Sequence, residues 1–170
     1  MAATNAQNYP FLYNESVSAV TSTNSVSLGS QRIENGKWYT YAYNAAAGTA
    51  SVSYGVIASA NSGYSFATNS VLGDFCAGVV VHNDIKTAQY GWVQTKGPVI
   101  IQMTTAGVSK DTTLGGGVAL GDSGMFTGVT AVAGTAASGS TAFGGRCGTA
   151  TTAIVAGSSG VVWLNNTTWQ

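Results

Sequence analysis

The chain has 170 residues, 45% hydrophobic and only 7% charged, and its six basic and six acidic side chains cancel to a formal net charge of zero. Soluble domains draw about a quarter of their residues from the charged types, so polarity here must come from Ser, Thr, Asn and Gln. The basic residues Arg32, Lys37, Lys86, Lys96, Lys110 and Arg146 are scattered and form no run of three, which argues against a nucleic-acid groove, and no window has the length and apolarity of a membrane span.

From the N-terminus, MAATNAQNYP lacks the basic start and apolar core of a secretory signal, so synthesis inside the cell is expected. Tyr9, Pro10, Phe11, Leu12 and Tyr13 form a short aromatic cluster, expected to be an arm that runs into a first strand or anchors on another subunit. Polar and apolar residues alternate over Ser16–Val20 and Val26–Leu28, which predicts strands with one covered face. Glu34-Asn35-Gly36-Lys37 predicts a tight hairpin, because Asn and Gly tolerate the left-handed geometry of a primed turn. Trp38, Thr40, Ala42 and Asn44 then share one face of a strand, and Tyr39, Tyr41 and Tyr43 share the other.

A further strand is predicted over Ser51–Ala58, and another around Tyr64 and Phe66. Phe75–Val81 has the length and β-branched content of a buried strand. Tyr90-Gly91-Trp92-Val93-Gln94 predicts a strand that Gly97-Pro98 turns or bulges before Val99–Met103. Beyond Thr104 short apolar pieces alternate with glycine: Leu114–Gly121, Met125–Val129 and Gly148–Gly157. Ser158–Gly160 is expected to turn, and Val161–Leu164 to close the fold as a last strand.

These pieces predict an all-β class: a compact β-barrel or β-sandwich-like module with short strands, Gly-rich turns and an extended N-terminal arm. The expected organisation is an arm and first strand over 1–30, a β-rich region over 31–89, a small barrel-like domain over 90–164 and a polar tail over 165–170.

Catalytic chemistry finds little material. His82 is the single histidine and has Asp84 nearby but no recognisable third partner. Cys76 and Cys147 match no metal spacing, and a buried reduced thiol is the expectation for each. Asp111 and Asp122 flank a glycine-rich stretch without the ligand density of a calcium loop, so turn capping is expected. Leu114–Val118 lacks the Lys and Ser/Thr ending of a phosphate loop. Gly121-Asp122-Ser123-Gly124 echoes a protease nucleophile motif without its supporting histidine. No enzyme activity, cofactor or metal is expected.

Tyr90–Gln94, Gly97-Pro98-Val99, Thr105–Val108 with Thr113-Leu114, Gly145–Ala150 and Ser159–Leu164 together resemble the small β-domain of tailed-bacteriophage capsid decoration, or cement, proteins. The resemblance spans Tyr90 to Leu164, and the material between Gly121 and Gly144 departs from the shortest such domains. It implies a non-enzymatic virion protein on the outer capsid surface, commonly a homotrimer, that binds the major capsid protein lattice and stabilises it. With that role, Tyr9, Phe11 and Tyr13 are the expected capsid-binding residues. Tyr39, Tyr41, Tyr43 and Trp92 are the expected oligomer interface, since aromatic rings give contact area at low entropic cost. The alternative is a carbohydrate- or receptor-binding β-module of a virion fibre or tail, in which Trp38 and Trp92 stack on sugars.

Overall fold

The computed structural model describes residues 16–59, 63–68, 75–104, 116–120, 122–129 and 146–165. Through them run strands β1 (Val20–Thr21), β2 (Gln31–Glu34), β3 (Lys37–Asn44), β4 (Gly55–Ala58), β5 (Ser65–Ala67) and β6 (Cys76–Val80). The long β7 (Tyr90–Gln102) follows, then β8 (Gly116–Leu120), β9 (Phe126–Val129), β10 (Arg146–Ala150) and β11 (Ser159–Leu164). A single 3-10 turn, Asp122–Gly124, is the sole helical piece among the described residues. The fold is all-β, built on a closed barrel with short strands, as the composition predicts.

The first barrel closes through five strands. β3 pairs in parallel with β5, β5 antiparallel with β4, β4 with β6, β6 with β7, and β7 returns to β3. Closure leaves no bare edge within the ring. β2 extends β3 through the predicted hairpin, with Glu34 opposite Lys37 and with Asn35 and Gly36 at φ 51° and 74°. Alternation sends Thr40, Ala42 and Asn44 inward, where Ala42 packs with Val56, Phe66, Val80, Ile85 and Val93. The buried Asn44 side chain is satisfied there, because its amide donates to Gly48 O and Ile85 O.

A second ring repeats this wiring. The second half of β7 pairs with β11, β11 with β10, β10 with β8, and β8 with β9. A parallel bridge from Met103 to Phe126 completes the circuit, as Asn44 to Phe66 does in the first ring. The correspondence extends to single residues. Val56 faces Gly78 and Ile57 faces Cys76, leaving Ala77 as a bulge; Val118 faces Gly148 and Ala119 faces Arg146, leaving Cys147 as a bulge. Ala45 N donates to Phe66 O, and Thr104 N donates to Phe126 O. The second core, Val99, Ile101, Met103, Phe126, Ala150, Ile154, Val162 and Leu164, occupies positions matching those inside the first. The described residues thus repeat one five-stranded ring arrangement twice.

The shared strand β7 closes the first ring with its first half and opens the second with its second half. It passes between the rings by a bulge: Gln94 faces Tyr39 and Lys96 faces Trp38, with Thr95 as the extra residue. Gly97 follows at φ 93°, in close approach to Gly36 O. Gly97-Pro98 therefore bulges the strand without ending it.

Some expected elements are shorter or displaced. Over Ser51–Ala58 only Gly55–Ala58 is strand; Tyr54 N donates to Ser51 O and Ser53 has φ 71°, which makes the first half a turn. Within Ser16–Leu28 only Val20–Thr21 pairs, and the remainder lies across the outside of the first barrel. The turn predicted at Ser158–Gly160 comes earlier, closed by Ser158 N to Val155 O, so that Ser159 and Gly160 begin β11.

Candidate interaction surfaces

The tyrosine face is real, and the chain covers it itself. Tyr39, Tyr41 and Tyr43 point outward from β3 beside Tyr90 and Trp92 of β7; across the ladder Tyr41 pairs with Trp92, Tyr43 with Tyr90 and Tyr39 with Gln94. Tyr41 lies 5.2 Å from Trp92, tilted by 60°, and 6.2 Å from Tyr90 in a stacked arrangement; Tyr43 lies 4.8 Å from Tyr90. Such offset and tilted pairs add to the hydrophobic contribution of the rings. Val17 and Val26, with Leu28 alongside, close over Tyr39, Tyr41 and Trp92, which are 3%, 0% and 2% exposed. Tyr41 Oη reaches Ser25 Oγ at 3.2 Å and Thr21 Oγ1 at 3.3 Å, so the phenol keeps polar contact under the cover. Of the four residues expected at an oligomer interface, Tyr39, Tyr41 and Trp92 are therefore buried within one chain, and Tyr43 is half-buried. Tyr9, Phe11 and Tyr13 lie outside the described residues.

The candidate chemistry is not assembled. His82 is exposed at the end of β6, its ring 5.9 Å from Tyr39. Partial desolvation, then the Lys37 ammonium, holds its pKa below the ordinary value, with Glu34 acting in the opposite direction. Tyr39 is pushed above the usual phenol value by burial and then by Glu34, with Arg32 opposing. Asp84 accepts a hydrogen bond from Val52 N at 2.9 Å and fixes the loop before β4. Cys76 is a free, buried thiol donating to Gly78 O. Among the described residues no group of three or more His, Cys, Asp and Glu side chains could hold a metal ion, and no helix is long and apolar enough to cross a membrane.

Among the described residues two tryptophans, Trp38 and Trp163, are exposed. Trp38, at the mouth of the first barrel, is 37% exposed and carries the Lys96 ammonium 4.8 Å above its ring. Trp92 is enclosed within the chain, whereas Trp38 remains partly exposed. On the second barrel Trp163, Val161 and Ile100 are exposed side by side, because Val161 pairs with Ile100 and Trp163 with Pro98. Sequence reasoning missed this patch. Its signal was the run Val161-Val162-Trp163-Leu164, whose alternation must send Val161 and Trp163 outward once Val162 and Leu164 are inside.

A β-rich module built on a closed barrel, with apolar patches on its outer faces, belongs to the class of all-β barrel modules. No family model matches the chain, and no curated protein matches it. Among solved structures it is similar to the crystal structure of the head fiber gp8.5 N base in bacteriophage phi29, with a TM-score of 0.52 and 9% sequence identity. The match covers 78% of this chain and 98% of that chain. At this identity the likeness shows the fold alone.

Proposed function

We propose that this chain is a non-enzymatic structural protein of a bacteriophage virion, serving as the base module of a fibre. The observation that carries this reading is the shared fold, which spans nearly the whole of a head-fibre base. The composition supports it. A net-neutral surface polar through Ser, Thr, Asn and Gln suits a permanent assembly, in which neighbours replace solvent. The repeated ring supports it as well, since two closed rings joined through one continuous strand make a stiff platform with few open edges.

A fibre base and a decoration protein share the need to hold a capsid. The expected contact of Tyr9, Phe11 and Tyr13 with the major capsid protein, the homotrimeric state and a place on the outer virion surface therefore remain parts of this proposal. The two roles differ in stoichiometry and shape. A cement protein covers lattice junctions across the shell, whereas a fibre base occurs at discrete points and carries a projecting element. Deleting the gene tests the assignment: particles that still assemble and package DNA but lack a fibre support it. Particles that keep every appendage and instead burst at lower internal pressure support the cement role and overturn the fibre base.

A further inference from the structure

Asn35-Gly36 is the one Asn-Gly pair in the sequence, and the fold sets it at the tip of the β2–β3 hairpin. Both residues are exposed, with φ 51° and 74°. Among the described residues nothing stands within 4 Å of the place a Gly36 side chain would take, so the backbone beside its amide is open. The hydrogen bond of a β-turn joins its first and fourth residues, which leaves the amide between Asn35 and Gly36 outside it. Within the sheet β2 ends the strand order, with β3 as its ladder partner, so the tip can fray without opening the barrel.

The other described asparagines are either restrained or followed by a bulkier residue. The Asn44 side chain is buried; its amide donates to Gly48 O and Ile85 O, and its Oδ1 accepts from Ala46 N. Asn83 donates to Ser18 O at 2.8 Å. Asn24 and Asn165 are exposed but precede Ser25 and Asn166, whose side chains crowd the intervening amide as glycine does not. Charge adds to the contrast. The Lys37 ammonium, next along the chain from Gly36, favours negative charge on the Gly36 nitrogen, while Glu34 on the other flank is engaged by Arg32 at 3.0 Å.

We infer that Asn35 is a site of spontaneous deamidation through a succinimide. Hydroxide takes the Gly36 N–H proton, the nitrogen attacks Asn35 Cγ, and the Cγ–Nδ2 bond breaks as the side-chain nitrogen gains a proton and leaves as ammonia. Water then opens the cyclic imide at either carbonyl, giving aspartate or isoaspartate at position 35, and no oxidant or reductant takes part. The isoaspartyl product carries a new carboxylate and an additional methylene in the main chain of a two-residue turn, a loop whose length fixes the register of its strands. Gly36 O lies 3.0 Å from the place a Gly97 side chain would take. The altered tip therefore bears on the bulge through which β7 passes between the rings. The inference stands independently of the fibre-base proposal.

The test uses the full chain, held at neutral and at mildly alkaline pH and sampled over weeks. Isoelectric focusing follows the conversion, peptide mapping by mass spectrometry places it, and labelled methyl transfer by a protein isoaspartyl methyltransferase reports isoaspartate alone. The expected result is a shift to lower isoelectric point, conversion at Asn35 ahead of Asn24 and Asn165, and a rate that rises with hydroxide. Methyl labelling should be lost in Asn35→Gln, whose longer side chain closes the ring poorly. An Asn35 that stays intact, one that converts no faster than Asn24 or Asn165, a rate indifferent to pH, or labelling unchanged in Asn35→Gln overturns the inference. Should that variant not fold, the wild-type peptide map decides by itself, since it reads the converted residue directly.

Discussion

Two isoleucine–glycine contacts show how closely the barrels are matched at the scale of single residues. Ile85 lies against Gly91, and Ile154 against Gly160; a Cβ on either glycine would come within 2.7 Å and 2.5 Å of the isoleucine side chain, respectively. Each isoleucine fills the barrel end by using the space that the glycine leaves. Gly91→Ala and Gly160→Ala should each destabilise the protein by about 1–3 kcal/mol through overpacking, read as a lower urea midpoint, and pairing each with Ile85→Val or Ile154→Val should recover part of the loss. Trp92→Ala should cost about 3–5 kcal/mol because it empties a buried aromatic cluster, whereas Val155→Ser should stay within about 0.5 kcal/mol. Two groups set opposite pH limits. The lowered pKa of His82 means that the unfolded chain binds its proton first, so stability falls as pH drops below the ordinary value of 6.5. The raised pKa of Tyr39 keeps its contribution intact below 10.0 and loses it as pH climbs above that value. His82→Asn should flatten the acid limb of a stability–pH curve and Tyr39→Phe the alkaline limb, both measured by denaturant unfolding.

Among the elements, the segment Ser16–Ser30 matters most to integrity, because it turns an aromatic sheet face into core. A chain starting at Gln31 should expose Tyr39, Tyr41 and Trp92, bind a hydrophobic dye and unfold at lower denaturant than the full chain. Much at this scale was legible. Asn35-Gly36 announced its turn because two successive left-handed residues leave few alternatives. Cys76–Val80 announced a buried strand because its run of small and β-branched residues suits no exposed element, and it is buried throughout. The covering segment was misread because Ser16–Leu28 alternates like a strand. In the fold its valines satisfy the alternation by pressing onto rings, with two residues alone, Val20 and Thr21, joining the ladder. The tyrosine face was seen from its period, but its occupant was not, since a period names a covered face without naming what covers it.

The repeated ring arrangement organises the whole molecule, and it was not legible from the residues alone. The pairs that coincide are few and small: Gly55-Val56 with Gly117-Val118, Phe66 with Phe126, Gly78 with Gly148, and Ile85, Gly91 and Val93 with Ile154, Gly160 and Val162. They sit where a bulge, a close approach or the barrel interior restricts the choice. Elsewhere any strand former serves, so Tyr41 and Ile100 occupy matched positions with unrelated side chains. Loop lengths between matched strands also differ, which hides a constant period. The functional proposal lives at this scale too, since a scaffold of paired barrels earns its role through position in a particle and not through a site. Labelling purified virions with an antibody against this chain, viewed by electron microscopy, tests it most directly. The account predicts label confined to the points where fibres meet the particle. Label spread evenly over the capsid shell, or particles that carry none, would contradict it.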